Sequence, residues 1–183
     1  STHRGDFTPM TGASLDPWWT VGRSLQEPLR VHTTLSRSEI EERVQEMSIA
    51  VGLAPHHLQR YPHEFSGGQQ RRLALARILV LQPRLIIFDE PTAGLDVSVQ
   101  ATILRLLQEL KERFHLTYLF ISHDLGIVRL MCDRVTVMYL GSIVETGPTE
   151  AIFQAPTHPY TQALLAAIPK ARDWTLGRHS ASE

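Results

Sequence analysis

Between Ser36 and Gly52 the apolar residues Ile40, Val44, Met47 and Val51 recur every three or four positions, the period of one helix face. Ser36 and Glu39 stand at its start as a capping box, and Gly52 supplies a stop. A second box, Ser66 with Gln69, predicts a helix from about Gln69 to Leu81. The pattern then changes. "RLIIFD" is a continuous apolar run, as expected of a parallel strand buried on both faces, and "LTYLFIS" is another. Between them Ile103, Leu106, Leu107, Leu110 and Phe114 keep helical spacing behind Asp96, a ready N-cap. Upstream, Trp18 to Leu29 predicts a short helix ending near Pro28, and "HHLQRYPHEF" reads as a linker. Downstream come a short helix capped by Asp124, a hairpin turning at Gly141-Ser142, and two short helices around "TEAIFQA" and "YTQALLAAI". Residues 1–16 show no period and read as loop. Alternating strand and helix in the middle make the class α/β with a parallel sheet.

Composition narrows the function. With 183 residues, 43% hydrophobic and 20% charged, the chain has the balance of an ordinary globular protein of one domain, or one and a half. A net charge of −1 gives no sign of a general nucleic-acid or membrane-surface binder. Cys132 is the one cysteine, so no intrachain disulfide and no cysteine-held cluster is possible, which suits a reducing cytoplasm. No apolar run approaches the roughly 20 residues that span a bilayer, and "STHRGDFTPM" is not a signal peptide, so any membrane link is expected to run through a partner.

Three places carry candidate chemistry. At "HEFSGGQQRRLALARI", Gly67 and Gly68 let backbone approach a ligand closely at a helix tip, where first-turn N–H groups and the dipole favour an anion. Ser66 and Gln69 add side-chain hydrogen bonds; the alternative is a flexible cap with no ligand. Asp89 and Glu90 end the strand "LIIF", the end at which open α/β sheets bind ligands. One carboxylate there can hold Mg²⁺ through its water shell, and its neighbour can deprotonate an attacking water. His123 ends the next strand in "FISHD", within reach of a terminal phosphate or in a structural role. Other signals read as bland. His56, His57 and His63 belong to a solvated linker rather than a metal site, and Arg71, Arg72 and Arg77 line a solvated helix face. Trp18 and Trp19 either belong to a surface that meets a partner or pack the helical part.

In this order and spacing, "FSGGQ", "LIIFDE", "AGLD" and "SHD" resemble the signature motif, Walker B strand, D-loop and His switch of ATP-binding cassette (ABC) ATPases. The likeness runs from about "SLDPWWTVG" to the end, and "HPYTQALL" resembles the branch serving oligopeptide, dipeptide and nickel importers. It implies a partial P-loop NTPase core with a parallel sheet, a helical subdomain and a carboxyl-terminal tail. The implied partition is 1–64 for the Q-loop-region remnant and helical subdomain, 65–147 for the signature-to-His-switch core, and 148–183 for the importer tail. The implied cofactors are ATP and Mg²⁺. Asp89 would support the metal, Glu90 would be the general base and His123 would contact the γ-phosphate. Asp96 would link the halves of a dimer, and Ser66, Gly67, Gly68 and Gln69 would clamp ATP bound to the opposite subunit.

Implied partners are a second cassette, transmembrane permease subunits and, through them, an external substrate-binding protein. The implied location is cytoplasmic, peripheral on the inner face of the membrane. The family's phosphate loop, G-x-x-x-x-G-K-[ST], does not occur, since the two lysines, Lys111 and Lys170, follow no glycine loop. The adenine-stacking aromatic before that loop is missing too, and Pro9 or a neighbour stands where a glutamine is expected before "SLDP". Phe65 in place of Leu, and Ala93-Gly94 in place of Ser-Ala, look like tolerated variants. The expectation is therefore the carboxyl part of an importer's ATP-hydrolysing subunit, inactive by itself. The alternatives are a silent truncated cassette acting as an interaction module, or a non-transport ABC ATPase of translation or repair.

Overall fold

A computed structural model describes residues 15–167, as two compact units divided between Ile121 and Ser122. The expected loop at 1–16, apart from its last two residues, and the place of Pro9 lie outside the described residues.

The first unit begins with three helices sharing a core: α1 (Val21–His32), α2 (Arg37–Ala50) and α3 (Gly67–Leu79). Pro28 does not end α1, which continues one turn past it. A proline inside a helix removes one backbone bond and costs about 3 kcal/mol. Burial of Val21, Leu25, Pro28 and Leu29 along one face offsets that. Both parts of the α2 capping box form, with the Ser36 N–H donating to Glu39 Oε2 at 2.7 Å, and the stripe Ile40, Val44, Met47, Val51 is buried. Gly52 follows in the left-handed region at φ 76°, which favours glycine, and a Cβ there would also push on Arg72 Nη1. The expected linker is partly ordered into 3-10 turns at Pro55–Gln59 and Pro62–Glu64, each opened by a proline. His57 Nδ1 accepts the Ala54 N–H at 3.1 Å, and the His57 ring stands edge-on to Phe65.

Beyond α3, β1 (Leu85–Asp89) pairs in parallel with β2 (Thr117–Ile121), joined by α4 (Val97–Phe114). Ile86, Phe88, Tyr118 and Phe120 share the inner face, where the Phe88 ring lies 4.9 Å from both Tyr118 and Phe120. The Tyr118 hydroxyl donates to the Leu107 carbonyl on α4, and burial pushes its pKa up. The outer face differs from expectation: Leu85, Leu119 and Ile121 are about half exposed. The runs are apolar on both sides, yet among the described residues the sheet has two strands and one covered face.

In the second unit α5 (Leu125–Met131) is capped by Asp124, and β3 (Arg134–Tyr139) pairs antiparallel with β4 (Ser142–Pro148). The hairpin turns at Leu140 and Gly141, both at positive φ, one residue earlier than expected. A two-residue turn of this hand matches the twist of the flanking strands, so Ser142 is already paired. Val128, Val135, Val137 and Ile152 form the core, with α6 (Thr149–Gln154) and α7 (Pro159–Ala166) closing the chain. The structural division differs from the motif partition. Helix α3 packs on α1 and α2 across position 64/65, and β4 crosses 147/148.

Glu145 on β4 anchors the tail: its carboxylate accepts from the Thr157 N–H and hydroxyl, both at 2.8 Å, and from the His158 N–H at 3.1 Å. The Thr161 hydroxyl, then the Thr157 amide, lower its pKa from 4.5 to about 2. A carboxyl depressed by folding contributes stability that is present above the unfolded value and lost as pH falls through the folded one. The tail anchor is therefore expected to weaken between pH 4.5 and about 2. Carboxyl NMR titration of Glu145 should show a midpoint well below the ordinary glutamate value; an ordinary midpoint would contradict the anchor. The half-exposed outer sheet face also predicts self-association of the chain in sedimentation, relieved in the Leu119→Thr/Ile121→Thr variant. A clean monomer with a sharp thermal transition at high temperature would overturn that expectation.

Candidate functional site: a glycine helix tip beside a strand-end acid pair

Helix α3 begins at Gly67, two residues earlier than the sequence suggests, because its box closes on Ser66 itself. The Ser66 N–H donates to Gln69 Oε1 at 3.0 Å, and the Gln69 N–H donates back to Ser66 Oγ at 3.4 Å. The Gly67 and Gly68 N–H groups, in the first turn, have no intrahelical acceptor. A Cβ on Gly67 would meet nothing within 4 Å, and one on Gly68 would make only ordinary contact with Val99 Cγ1 at 3.5 Å. Neither glycine is required by packing among the described residues. The tip is an open cradle, with Ser66 and Gly67 exposed.

Asp89 closes β1 and is exposed, and Glu90 follows half-buried. Glu90 sits at φ 48°, a strained conformation for a residue with a Cβ. Its N–H donates to the Ile121 carbonyl at 2.9 Å, which fixes the acid pair at the carboxyl end of the two-stranded sheet. The turn from Pro91 to Gly94 is closed by the Ala93 N–H on the Glu90 carbonyl at 3.1 Å. Gln100 Nε2 donates to Thr92 Oγ1 at 3.1 Å, tying the turn to α4. Asp96 caps α4 as expected, all through Oδ1, which accepts from Ser98 N, Ser98 Oγ and Val99 N. The Val99 amide, then the Ser98 hydroxyl, hold the Asp96 carboxyl below the ordinary range.

The first unit thus brings together the Ser66–Gln69 tip, the turn after Glu90 and the Asp96-capped start of α4. His123 lies in the second unit, exposed in the bend before α5. Among the described residues no group of three or more His, Cys, Asp or Glu gathers as a complete metal cage, His56, His57 and His63 included. Asp89 with Glu90 suits Mg²⁺, which takes one or two protein carboxylates and completes its shell with water and phosphate oxygens.

The arginines of α3 are not a solvated face. Arg71 donates to the Pro91 and Ala93 carbonyls, Arg72 to the Val51 carbonyl at 3.0 Å, and Arg77 Nη2 pairs with Glu27 Oε2 at 3.0 Å. Periodicity could not reveal these ties, because their partners lie 20 to 50 residues away. No local pattern in the sequence marks them.

The model of the family described as ABC transporter matches residues 10–93, and that of the oligopeptide/dipeptide transporter C-terminal region matches residues 144–182. The chain belongs to the ABC transporter family. It is 53% identical over 157 residues to the di/tripeptide transport ATP-binding protein DppF of Pseudomonas aeruginosa (strain UCBPP-PA14), covering 86% of this chain and 49% of that one. It is 51% identical to the oligopeptide transport ATP-binding protein OppF of Escherichia coli (strain K12), covering 86% and 47%. To the glutathione import ATP-binding protein GsiA of Pectobacterium atrosepticum it is 52% identical, over 87% of this chain and 26% of that one. The chain spans about half the length, or less, of these curated relatives. In structure it is similar to cbiO1 of Clostridium perfringens, part of the ABC transporter complex cbiONQ, with a TM-score of 0.67 and 34% identity, over 74% of this chain and 53% of that one. Ser66 to Gln69, Asp89 and Glu90 of this ABC-family chain lie inside the first matched segment; Asp96 and His123 lie between the two. Among the described residues no helix is long and apolar enough to cross a membrane.

An unneeded glycine in a helix is a stability loss, which gives a direct check on the cradle. Gly67→Ala should leave the fold intact and raise the chain's stability by up to about 0.5 kcal/mol, read by denaturant titration. A clear destabilisation would mean that Gly67 serves the fold.

Proposed function

We propose that this chain provides the signature helix, acid pair, D-loop and tail of an ATP-hydrolysing subunit in an ABC importer for oligopeptides, dipeptides or a related substrate. The open cradle at Gly67 and Gly68 carries the proposal, because nothing among the described residues calls for those glycines. The motif partition is then functional rather than one of packing. Asp89 supports Mg²⁺, which when bound neutralises charge on the phosphate oxygens. A Glu90 carboxylate oxygen takes the proton of a water whose oxygen bonds to the γ-phosphorus as the bond to the ADP oxygen breaks. His123 contacts the γ-phosphate. The Gly67 and Gly68 N–H groups, with Ser66 and Gln69, face ATP held by the opposite subunit, and Asp96 stands at the junction between cassettes. Partners in this reading are a second cassette and permease subunits that hold the complex at the inner face of the membrane, with an external substrate-binding protein beyond them. No phosphate loop occurs in these 183 residues, so the chain by itself is proposed to show no turnover. A silent interaction module is the second reading, resting on that same feature.

The test joins the chain to a family-like amino-terminal half carrying the phosphate loop. Mg²⁺-dependent ATPase activity is expected, falling about 10²–10⁴-fold in Glu90→Gln while nucleotide still binds. Unchanged turnover in that variant removes Glu90 from the role, and no activity in the joined protein favours the silent module. In a heterodimer with Ser66→Arg on one subunit, the site on the opposite subunit should fail. Loss of the altered subunit's own site instead would contradict action across the interface.

A further inference from the structure

The guanidinium of Arg71, one turn past the signature tip, donates through Nη1 to the Pro91 carbonyl and through Nη2 to the Ala93 carbonyl, the latter at 2.9 Å. Both acceptors belong to the turn that leaves Glu90 and leads to Asp96. Glu90 is held at φ 48°, a conformation that persists only where the surroundings over-determine it. Its amide is fixed on one side by the Ile121 carbonyl, and its carbonyl receives the Ala93 N–H at 3.1 Å. Ala93 is therefore held on both sides: its N–H donates to the Glu90 carbonyl, and its carbonyl accepts from Arg71. A planar guanidinium with paired donors suits two carbonyls side by side; an ammonium group cannot reproduce that fork.

We propose that Arg71 is a positioning residue that locks the Pro91–Gly94 turn to the signature helix, so that Glu90 and the glycine tip move as one piece. This rests on the ATPase reading above. The tip would act on a partner's nucleotide and Glu90 on the chain's own. A rigid tie between them makes closure at one site felt at the other without any direct contact between the ligands. Arg71 touches neither nucleotide nor water in this assignment.

Two measurements test it. In the chain as it stands, amide hydrogen exchange at Ala93 and Leu95 should quicken at least about tenfold in Arg71→Ala, and less in Arg71→Lys, while the amides of α1 and α2 keep their protection. If Arg71→Ala does not fold, Arg71→Lys carries the comparison through its broken fork. Unchanged exchange at Ala93 and Leu95 would overturn the proposal, as would an equal rise throughout α1–α3, which is the mark of a merely structural tie. In the joined cassette, Arg71→Ala should lower kcat at least about tenfold with KM for ATP unchanged, with partial rescue in Arg71→Lys. Intact kcat, or a rise in KM alone, would overturn it as well. Glu90→Gln measured alongside separates the two ideas: if it leaves turnover intact the ATPase reading fails, and the exchange result still decides whether Arg71 holds the turn.

Discussion

Helix α3 has to bury one side completely and leave its first turn bare. Leu73, Leu75, Ala76, Ile78 and Leu79 fill the space against α1, α2 and α4, and the exposed Ser66–Gly67 step opens the helix to solvent. Apolar packing sets which face of the helix turns inward. Three arginines add directional ties to its neighbours. Arg72 fastens the end of α2, Arg77 reaches α1 through Glu27, and Arg71 holds the turn after Glu90. Removing the tip's glycines would favour the helix, and removing any of these ties would leave buried or half-buried carbonyls or a carboxylate without a donor. The first unit accepts a weak helix start because the rest of the helix is held by groups that carry direction as well as area.

Much of this was legible in the residues, and the legible part is local. Both capping boxes form where Ser36–Glu39 and Ser66–Gln69 place them, because each needs only a four-residue window. Asp96 and Asp124 cap their helices for the same reason. The parallel pair β1–β2 follows from two apolar runs around one helix. Expectations failed where the deciding partner is remote or where two local rules compete. Pro28 predicts a stop, yet burial of Leu25 and Leu29 carries α1 past it. The stretch at 55–64 has the prolines of a linker and also the side chains to close two short turns. The hairpin turn falls on Leu140-Gly141 because two positive φ values are needed in sequence, and leucine supplies one against its preference.

The candidate site divides along the same line. Residue types and order named Ser66, Gly67, Gly68, Gln69, Asp89, Glu90, Asp96 and His123. What the sequence could not carry is which of them share a rigid piece. Asp96, Glu90 and the tip are joined by the Pro91–Gly94 turn and by Arg71, a residue that helical periodicity assigns to solvent. Strain at Glu90 was equally hidden, since a glutamate gives no sign that its backbone will be left-handed.

The outer face of the sheet sets a condition on any partner that covers it. Side chains alternate along a strand, so Asp89 shares its face with Leu85 and Ile87, and the register adds Leu119 and Ile121. A purely apolar cover would shield the leucines and isoleucines while stranding the Asp89 carboxylate away from water, at a cost of several kcal/mol. A purely polar cover would leave Leu85, Leu119 and Ile121 half wet. Both demands are met together only by a cover that is apolar over most of its length and brings positive charge to the carboxyl end of the strands. The alternation of one short strand thus asks for greasy contact at one end and a positively charged or N–H-donating partner at the other.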